Sequence, residues 1–254
     1  MTIRTATLNG VATIEIARPE KKNAITVDMY AAMAAALRAA NADASVRAVL
    51  ITGQPGIFTS GNDLEDFMQR PKQGMDSPVF QFMKALTTSE KPVVAAVTGA
   101  AIGIGTTMLL HCDLVYVSDE ARLAMPFTSL GLVPEFASSF ILPQLLGHVK
   151  AAEKLLLGDP FTPQDAVDVG LANAVLPAGE VVNHARRIAE RFNNLPPSAV
   201  RDSKKLMRRA SAAAVLETIA VEGGVFQERL TSPEAREAFS AFFQKRKPDF
   251  TQFS

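Results

Sequence analysis

Only one cysteine, Cys112, stands in this 254-residue sequence, which excludes an intrachain disulfide framework and fits a reducing compartment. The three histidines, His111, His148 and His184, are scattered singly, so no metal cluster of familiar spacing is expected. Charge of neither sign is in excess: 26 basic side chains meet 26 acidic ones. No global field therefore recruits nucleic acid or an anionic membrane, and an anionic ligand must be held locally. No apolar run approaches the roughly 18 residues that a membrane span requires. The opening MTIRTATLNGVATIEI alternates apolar and polar residues where a signal peptide would lead from a basic segment into an apolar one, and a cytoplasmic location is the plain expectation. Low-complexity tracts and fixed-period repeats are missing too. What is plentiful is apolar side chains, 48% of the chain, enough for one sizeable core with at most a small appendage.

Residues 3–8 and 11–17 read as strands joined by Asn9-Gly10, a dipeptide suited to a tight hairpin because both residues tolerate positive φ. After RPEKKNA (18–24), Thr26 is placed to cap an alanine-rich helix over 27–43. Apolar runs at 48–52, 93–97 and 114–117 are each followed by small residues and a helical pattern, which points to stacked strand-turn-helix units. QRPKQGMDS (69–77) carries proline and glycine without apolar periodicity and reads as a mobile surface loop. Past Pro196-Pro197 every pattern is helical, which sets a boundary between a core of residues 1–195 and a helical region of 196–254. There, SPEAREAFSAFFQKRKPDF (232–250) opens with a serine cap, a proline and an early glutamate, then puts Ala238, Phe239, Phe242 and Phe243 on a face that needs covering.

Three stretches carry candidate chemistry. FTSGNDLEDF (58–67) ends a strand and opens a short helix near Asp63. Ser60 and Gly61 there let a backbone amide approach a ligand closely, although a polar turn capped by Asn62 or Asp63 accounts for the same residues. VVAAVTGAAIGIGTTMLLHCD (93–113) sets Gly103 and Gly105 at a helix start. Free amides and the positive dipole end would face a developing negative charge there, unless the glycines serve packing alone. The third glycine and the early βαβ frame of a dinucleotide fingerprint are missing, so no nicotinamide cofactor is expected. In ARLAMPFTSLGLVPEFASSFILPQLLG (121–147), Glu135 lies among Leu132, Val133, Pro134 and Phe136. Apolar surroundings raise a carboxyl pKa toward the range of a neutral-pH proton shuttle; the alternative is a carboxylate that complements a helix dipole.

RPEKKNA, FTSGND, KPVVAAVTGAAIGIG with CDLVY after it, PFTSLGLVPE and AREAFSAFFQKRKP stand in the order found in the crotonase (enoyl-CoA hydratase/isomerase) superfamily, which the sequence resembles from first strand to last helix. The resemblance implies an α/β fold, a spiral of repeated ββα units, and a helical carboxy-terminal region used for assembly as a homotrimer or dimer of trimers. It implies an acyl-CoA thioester in an extended groove, with coenzyme A as part of the substrate and no separate cofactor. Two backbone amides, matched here by Ser60 and Ile104, would hold the thioester oxygen. Asp63 and Leu64 fall along the adenine and pantetheine groove, and Ala24, Gly61, Asn62 and Phe127 join them as substrate-binding candidates. Among Arg18, Lys21, Lys22, Lys245 and Lys247, the basic residues that could meet the coenzyme A phosphates, Lys22 and Lys245 are the candidates, with solvated surface as the plain alternative. Met68, Met75 and Met83 fit an adaptable acyl pocket or equally a core. His111 and Cys112 read as core.

Two departures from the hydratase pattern decide the expected reaction. The two glutamates that activate water in enoyl-CoA hydratases are matched by Thr107 and Phe127, neither of which is a carboxylate base. SGNDL and the PF, LG, PE, SS spacing are similar to the peroxisomal type of Δ3,Δ2-enoyl-CoA isomerase, in which the glutamate matching Glu135 is the base. Isomerisation within fatty-acid or related acyl-CoA breakdown is the expectation, with hydration or non-catalytic acyl-CoA binding as alternatives. A serine hydrolase is disfavoured, since no G-x-S-x-G elbow occurs.

Overall fold

The computed structural model describes residues 2–69, 74 and 76–253. Asn9 and Gly10, both at positive φ (48° and 71°), turn β1 (Ile3–Leu8) antiparallel onto β2 (Val11–Ile16). Helix α1 (Val27–Ala42) follows, its first turn closed by the Thr26 side chain, which accepts from the Met29 amide. The chain then repeats one step. A strand enters the first sheet, the chain turns, and a short strand enters a second sheet: β3 (Ala48–Thr52) then β4 (Ile57–Thr59), β5 (Val93–Val97) then β6 (Ala100–Ile102), β7 (Leu114–Ser118) then β8 (Arg122–Ala124). With β9 (Ala174–Leu176), the first sheet has the order β1-β2-β3-β5-β7-β9 and is parallel beyond its hairpin. The second, β4-β6-β8, is wholly parallel.

Each pair of strands leads into helices: α2 (Leu64–Gln69) and α3 (Pro78–Thr87) after β4, then α4 (Ile104–Thr107) after β6, continued by a 3₁₀ turn, Met108–His111. After β8 come α5 (Ser138–Leu146), α6 (His148–Ala152) and α7 (Pro163–Asp168), and after β9 comes α8 (Val181–Glu190). The result is a spiral of ββα turns. From Pro197 onward the described residues form three helices and no strand: α9 (Pro197–Arg208), α10 (Ala212–Leu230) and α11 (Pro233–Phe243). No helix among the described residues is long and apolar enough to cross a membrane.

Strands β3 and β5 are buried at every residue, which is why AVLIT and VVAAV read as unbroken apolar runs. Alternate side chains serve opposite faces. Val49, Ile51, Ala95 and Val97 enter the main core with Leu37 of α1 and Phe82 of α3, while Leu50, Val94 and Ala96 pack on Val181, Ala185 and Ala189 of α8. Leu37 is fully buried, and its truncation to alanine would cost about 2–5 kcal/mol. Helix α9 is fastened by charge: Asp113 accepts from Lys204 Nζ at 2.6 Å and from Arg208 Nη2 at 2.9 Å, and also from the Val93 amide at 2.7 Å.

One sequence expectation needs adjustment and one is not tested. The aromatic face of α11 is split: Ala238 and Phe239 are 3% exposed, buried within the chain, while Phe242 and Phe243 are 60% and 44% exposed. The loop expected over 69–77 falls largely outside the described residues, as does Met75.

Candidate active site

Parallel strands gather their carboxyl ends on one side of a sheet, where loop backbone is free to meet ligands. The turns that follow β4, β6 and β8 meet there. The first is held by the loop before α1. Buried Asn23 donates through Nδ2 to the Ile57 and Phe58 carbonyls at 3.2 and 3.1 Å, and its own carbonyl accepts from Thr59 Oγ1 at 2.7 Å. These bonds leave the next amides with fixed partners. Ser60 N donates to the Lys22 carbonyl at 3.1 Å, Gly61 N to Thr59 Oγ1 at 3.1 Å and Asp63 N to the Ile25 carbonyl at 2.9 Å. Ser60 as a thioester-holding amide is therefore corrected, because its single N–H is already committed. Across residues 60–63, Asn62 is the amide with no partner among the described residues. Its side chain is fixed by the Tyr30 hydroxyl, which donates to Asn62 Oδ1.

Gly61, at φ 93°, lies so near the next turn that a Cβ would come within 2.8 Å of the Ile102 carbonyl. That bareness brings the 61–62 corner against residues 102–104. Gly103 caps α4 at φ 56°, and the Ile104 amide, first in the helix, has no partner among the described residues, as expected at a helix start. Three residues on, and thus on the same face one turn later, the Thr107 hydroxyl donates to Glu135 Oε1 at 3.2 Å.

Glu135 is 5% exposed. Burial pushes its pKa up to about 8; the Thr107 hydrogen bond opposes the rise and the Glu222 charge adds to it. Among the described residues it is the one acidic side chain lining an apolar cavity whose walls include Phe67, Val79, Phe80, Met83, Phe226 and Leu230. The alternative role of Glu135, complementing a helix dipole, belongs instead to Glu222. That carboxylate accepts from the Ala137 and Ser139 amides at 2.6 and 2.9 Å, at the start of α5. Phe127 is buried with its ring edge-on to Phe226, centroids 6.5 Å apart. A Cβ on Gly103 would stand 3.7 Å from that ring, so an aromatic wall closes the site beside the α4 corner.

The other candidates are more dispersed. Asp63 caps α2, accepting from the Asp66 amide at 3.1 Å, and is ion-paired with Arg18 Nη1 at 2.6 Å. That pair and the 2.9 Å bond from Arg18 to the Ala24 carbonyl occupy Arg18. Leu64 opens α2, half-buried. Lys21 pairs with Glu65 at 3.6 Å on the surface, while Lys22 and Lys245 are exposed and both in the left-handed region, φ 52° and 55°. Met83 lines the cavity and Met68 is half-exposed. His111 is buried, as read from sequence; its pKa is pushed down to about 4 by burial. The α10 wall and Glu222 escaped the sequence reading, in which 196–254 serves assembly. The one local signal was an apolar spacing of Ile219, Gly223, Phe226 and Leu230 on one helix face.

A family model described as "Enoyl-CoA hydratase/isomerase" matches residues 6–253. The chain belongs to that family. Its curated relatives in the enoyl-CoA hydratase/isomerase family carry names of both kinds. It is 34% identical over 245 residues to human "Enoyl-CoA delta isomerase 2", covering 94% of this chain but 62% of that longer protein. It is 29% identical over 241 residues to Escherichia coli "2,3-dehydroadipyl-CoA hydratase", covering 94% of each. Among solved structures, that of Pseudomonas aeruginosa OdaA superposes with a TM-score of 0.93 at 54% identity, covering 95% of this chain and 98% of that one.

Proposed function

We propose that this family member is an enoyl-CoA isomerase that shifts a 3-enoyl-CoA double bond to the 2 position, with Glu135 as the proton-transfer base. The observation that carries the reading is that Glu135 is, among the described residues, the one acid lining an apolar cavity, with the Thr107 hydroxyl bonded to it and the Phe127 ring packed on Phe226 of the cavity wall. Removing a proton from the carbon next to a thioester puts negative charge on the thioester oxygen. The unpartnered amides of Asn62 and Ile104 are the donors proposed to meet it, and amides fixed beforehand stabilise such charge without reorganising. Glu135 takes the proton from C2 of the acyl chain, the dienolate spreads the charge to C4, and the same carboxyl returns the proton there. One movable carboxylate completes the cycle. Addition of water would instead need a second carboxylate to orient the nucleophile, and Thr107 and Phe127 supply none.

The acyl-CoA substrate follows from the names of the relatives, and Lys22 and Lys245, both exposed, remain the proposed phosphate contacts. The test is product analysis by mass and retention time after incubation with 3-enoyl-CoA and with 2-enoyl-CoA. Conversion of the first to 2-enoyl-CoA with slow hydration of the second supports an isomerase. Rapid hydration of 2-enoyl-CoA without isomerisation would make the chain a hydratase.

A further inference from the structure

The base sits on a turn of uncommon shape. Phe136 and Ala137, directly after Glu135, both lie in the left-handed region at φ 58° and 56°, a conformation that residues with a Cβ adopt at a cost and keep when the surroundings impose it. Neither is a glycine, and Ala137, the residue that caps α5, offers no side chain to close the first turn. Something else must hold this segment.

Two buried groups do. Glu222, 7% exposed on α10, places one carboxylate oxygen 2.6 Å from the Ala137 amide and the other 2.9 Å from that of Ser139. His111 holds the remaining polar group: its Nε2–H donates to the Phe136 carbonyl at 2.8 Å, and its ring stacks on the Phe136 ring with centroids 3.9 Å apart. A carbonyl only accepts, so Nε2 carries the proton and Nδ1 accepts from the Thr87 hydroxyl at 3.2 Å. Gly223, next to Glu222, lines the cavity with Ile219 and Phe226, so the helix that walls the substrate space also grips the turn that aims the base.

We propose that Glu222 is a positioning residue for proton transfer by Glu135, its carboxylate locking the left-handed Phe136–Ala137 turn through the Ala137 and Ser139 amides. The inference rests on the isomerase reading for its kinetic consequences. Its electrostatic part does not. The charged and titratable groups around Glu135 are Tyr30 from α1, whose pKa burial and then Glu135 itself raise, His111 from the 3₁₀ turn and Glu222 from α10, with Arg208 of α9 bonded to the His111 carbonyl at 2.7 Å. Glu222 is the one negative neighbour in this set. It adds to the rise that burial gives Glu135, which makes the ionised base stronger.

Glu222→Gln keeps the shape, removes the charge and replaces one of the two accepting oxygens with an NH2 group that cannot accept from a backbone N–H. We expect kcat with 3-enoyl-CoA to fall roughly 10- to 100-fold, the scale of a small misplacement of a reacting group, with KM within about twofold of the parent. The pH midpoint of Glu135, followed by carboxyl carbon NMR in the full-length protein, should move down by roughly half a unit or more. Ala137→Gly, which accepts the left-handed turn without strain, supplies a folded background for Glu222→Gln if the single variant fails to fold. A folded variant with parental kcat and an unmoved Glu135 midpoint would overturn the proposal. So would a loss of turnover that merely tracks loss of folded protein and vanishes on cooling. If the parent has no isomerase activity the functional reading fails, yet the NMR titration still decides whether Glu222 acts on Glu135.

Discussion

Glu135 carries the sharpest consequences at the scale of one residue. Its carboxyl must be ionised to take a proton, and burial holds its pKa near about 8, so kcat/KM for isomerisation should climb with pH through neutrality and level off above that midpoint. A profile already flat from pH 5 to 9 would exclude it as the base. Glu135→Gln keeps volume but cannot accept the proton, and turnover should drop about 10²–10⁴-fold while thioester binding stays close to parental. The same shift bears on stability. The folded pKa lies above the ordinary value of 4.5, so between the two the unfolded chain sheds a proton that the native state keeps. Stability contributed by the neutral form is complete below the lower value and is lost as pH rises through the upper one. Glu135→Gln should remove that decline, gaining on the order of 1–3 kcal/mol at pH 8 relative to pH 5, measured as the difference between urea midpoints. Activity and stability are set against each other at this position.

Among elements, α10 shapes the cavity that Glu135 lines. A Cβ added to Gly223 would stand 2.2 Å from Phe80 Cζ, an overlap that the ring must relieve by shifting, and a shift into the cavity both residues line would narrow it. Gly223→Ala is expected to lower kcat/KM roughly tenfold more for long 3-enoyl chains than for short ones; an equal loss across a chain-length series would show that Phe80 yields outward. Helix α9 depends on Asp113, and Asp113→Ala would leave Lys204 and Arg208 without their carboxylate and cost about 3–5 kcal/mol in chemical denaturation. Elements were legible in the sequence where their cause is local. The Asn9-Gly10 hairpin, the Thr26 cap and the three apolar strands depend on neighbours within a few positions, and each stands where it was read. Glu135 was legible for the same reason, since Leu132, Val133 and Phe136 beside it announce its burial. Ser60 was misread because the availability of its amide depends on the Lys22 carbonyl, which local pattern does not reveal. Glu222 was invisible because its partners lie 85 and 83 positions away.

For the whole molecule, the expected assembly rests on apolar side chains that the chain itself leaves uncovered. Leu206, Met207, Val221 and Phe242 on α9, α10 and α11 are 69%, 81%, 62% and 60% exposed, and apolar side chains so exposed favour burial against other copies. We expect sedimentation at micromolar concentration to give a homotrimer of the 27.2 kDa chain, or its dimer; a monodisperse monomer would overturn this. Phe242→Ser and Met207→Ser together should shift the equilibrium toward smaller species if these residues lie in the contact.

The bridge from Glu222 to the α5 turn also sets an order of events during synthesis. Glu222 lies 85 positions after Ala137, a stretch that a ribosome takes roughly 4–17 s to add at about 5–20 residues per second. Throughout that interval the nascent chain carries Glu135 but not the carboxylate that holds the turn after it, and α10, one wall of the cavity that Glu135 lines, does not yet exist. Polypeptides truncated before α10 and released from the ribosome should therefore lack turnover even if their sheets have formed, and catalytic competence should arrive late, with the helix that completes the cavity.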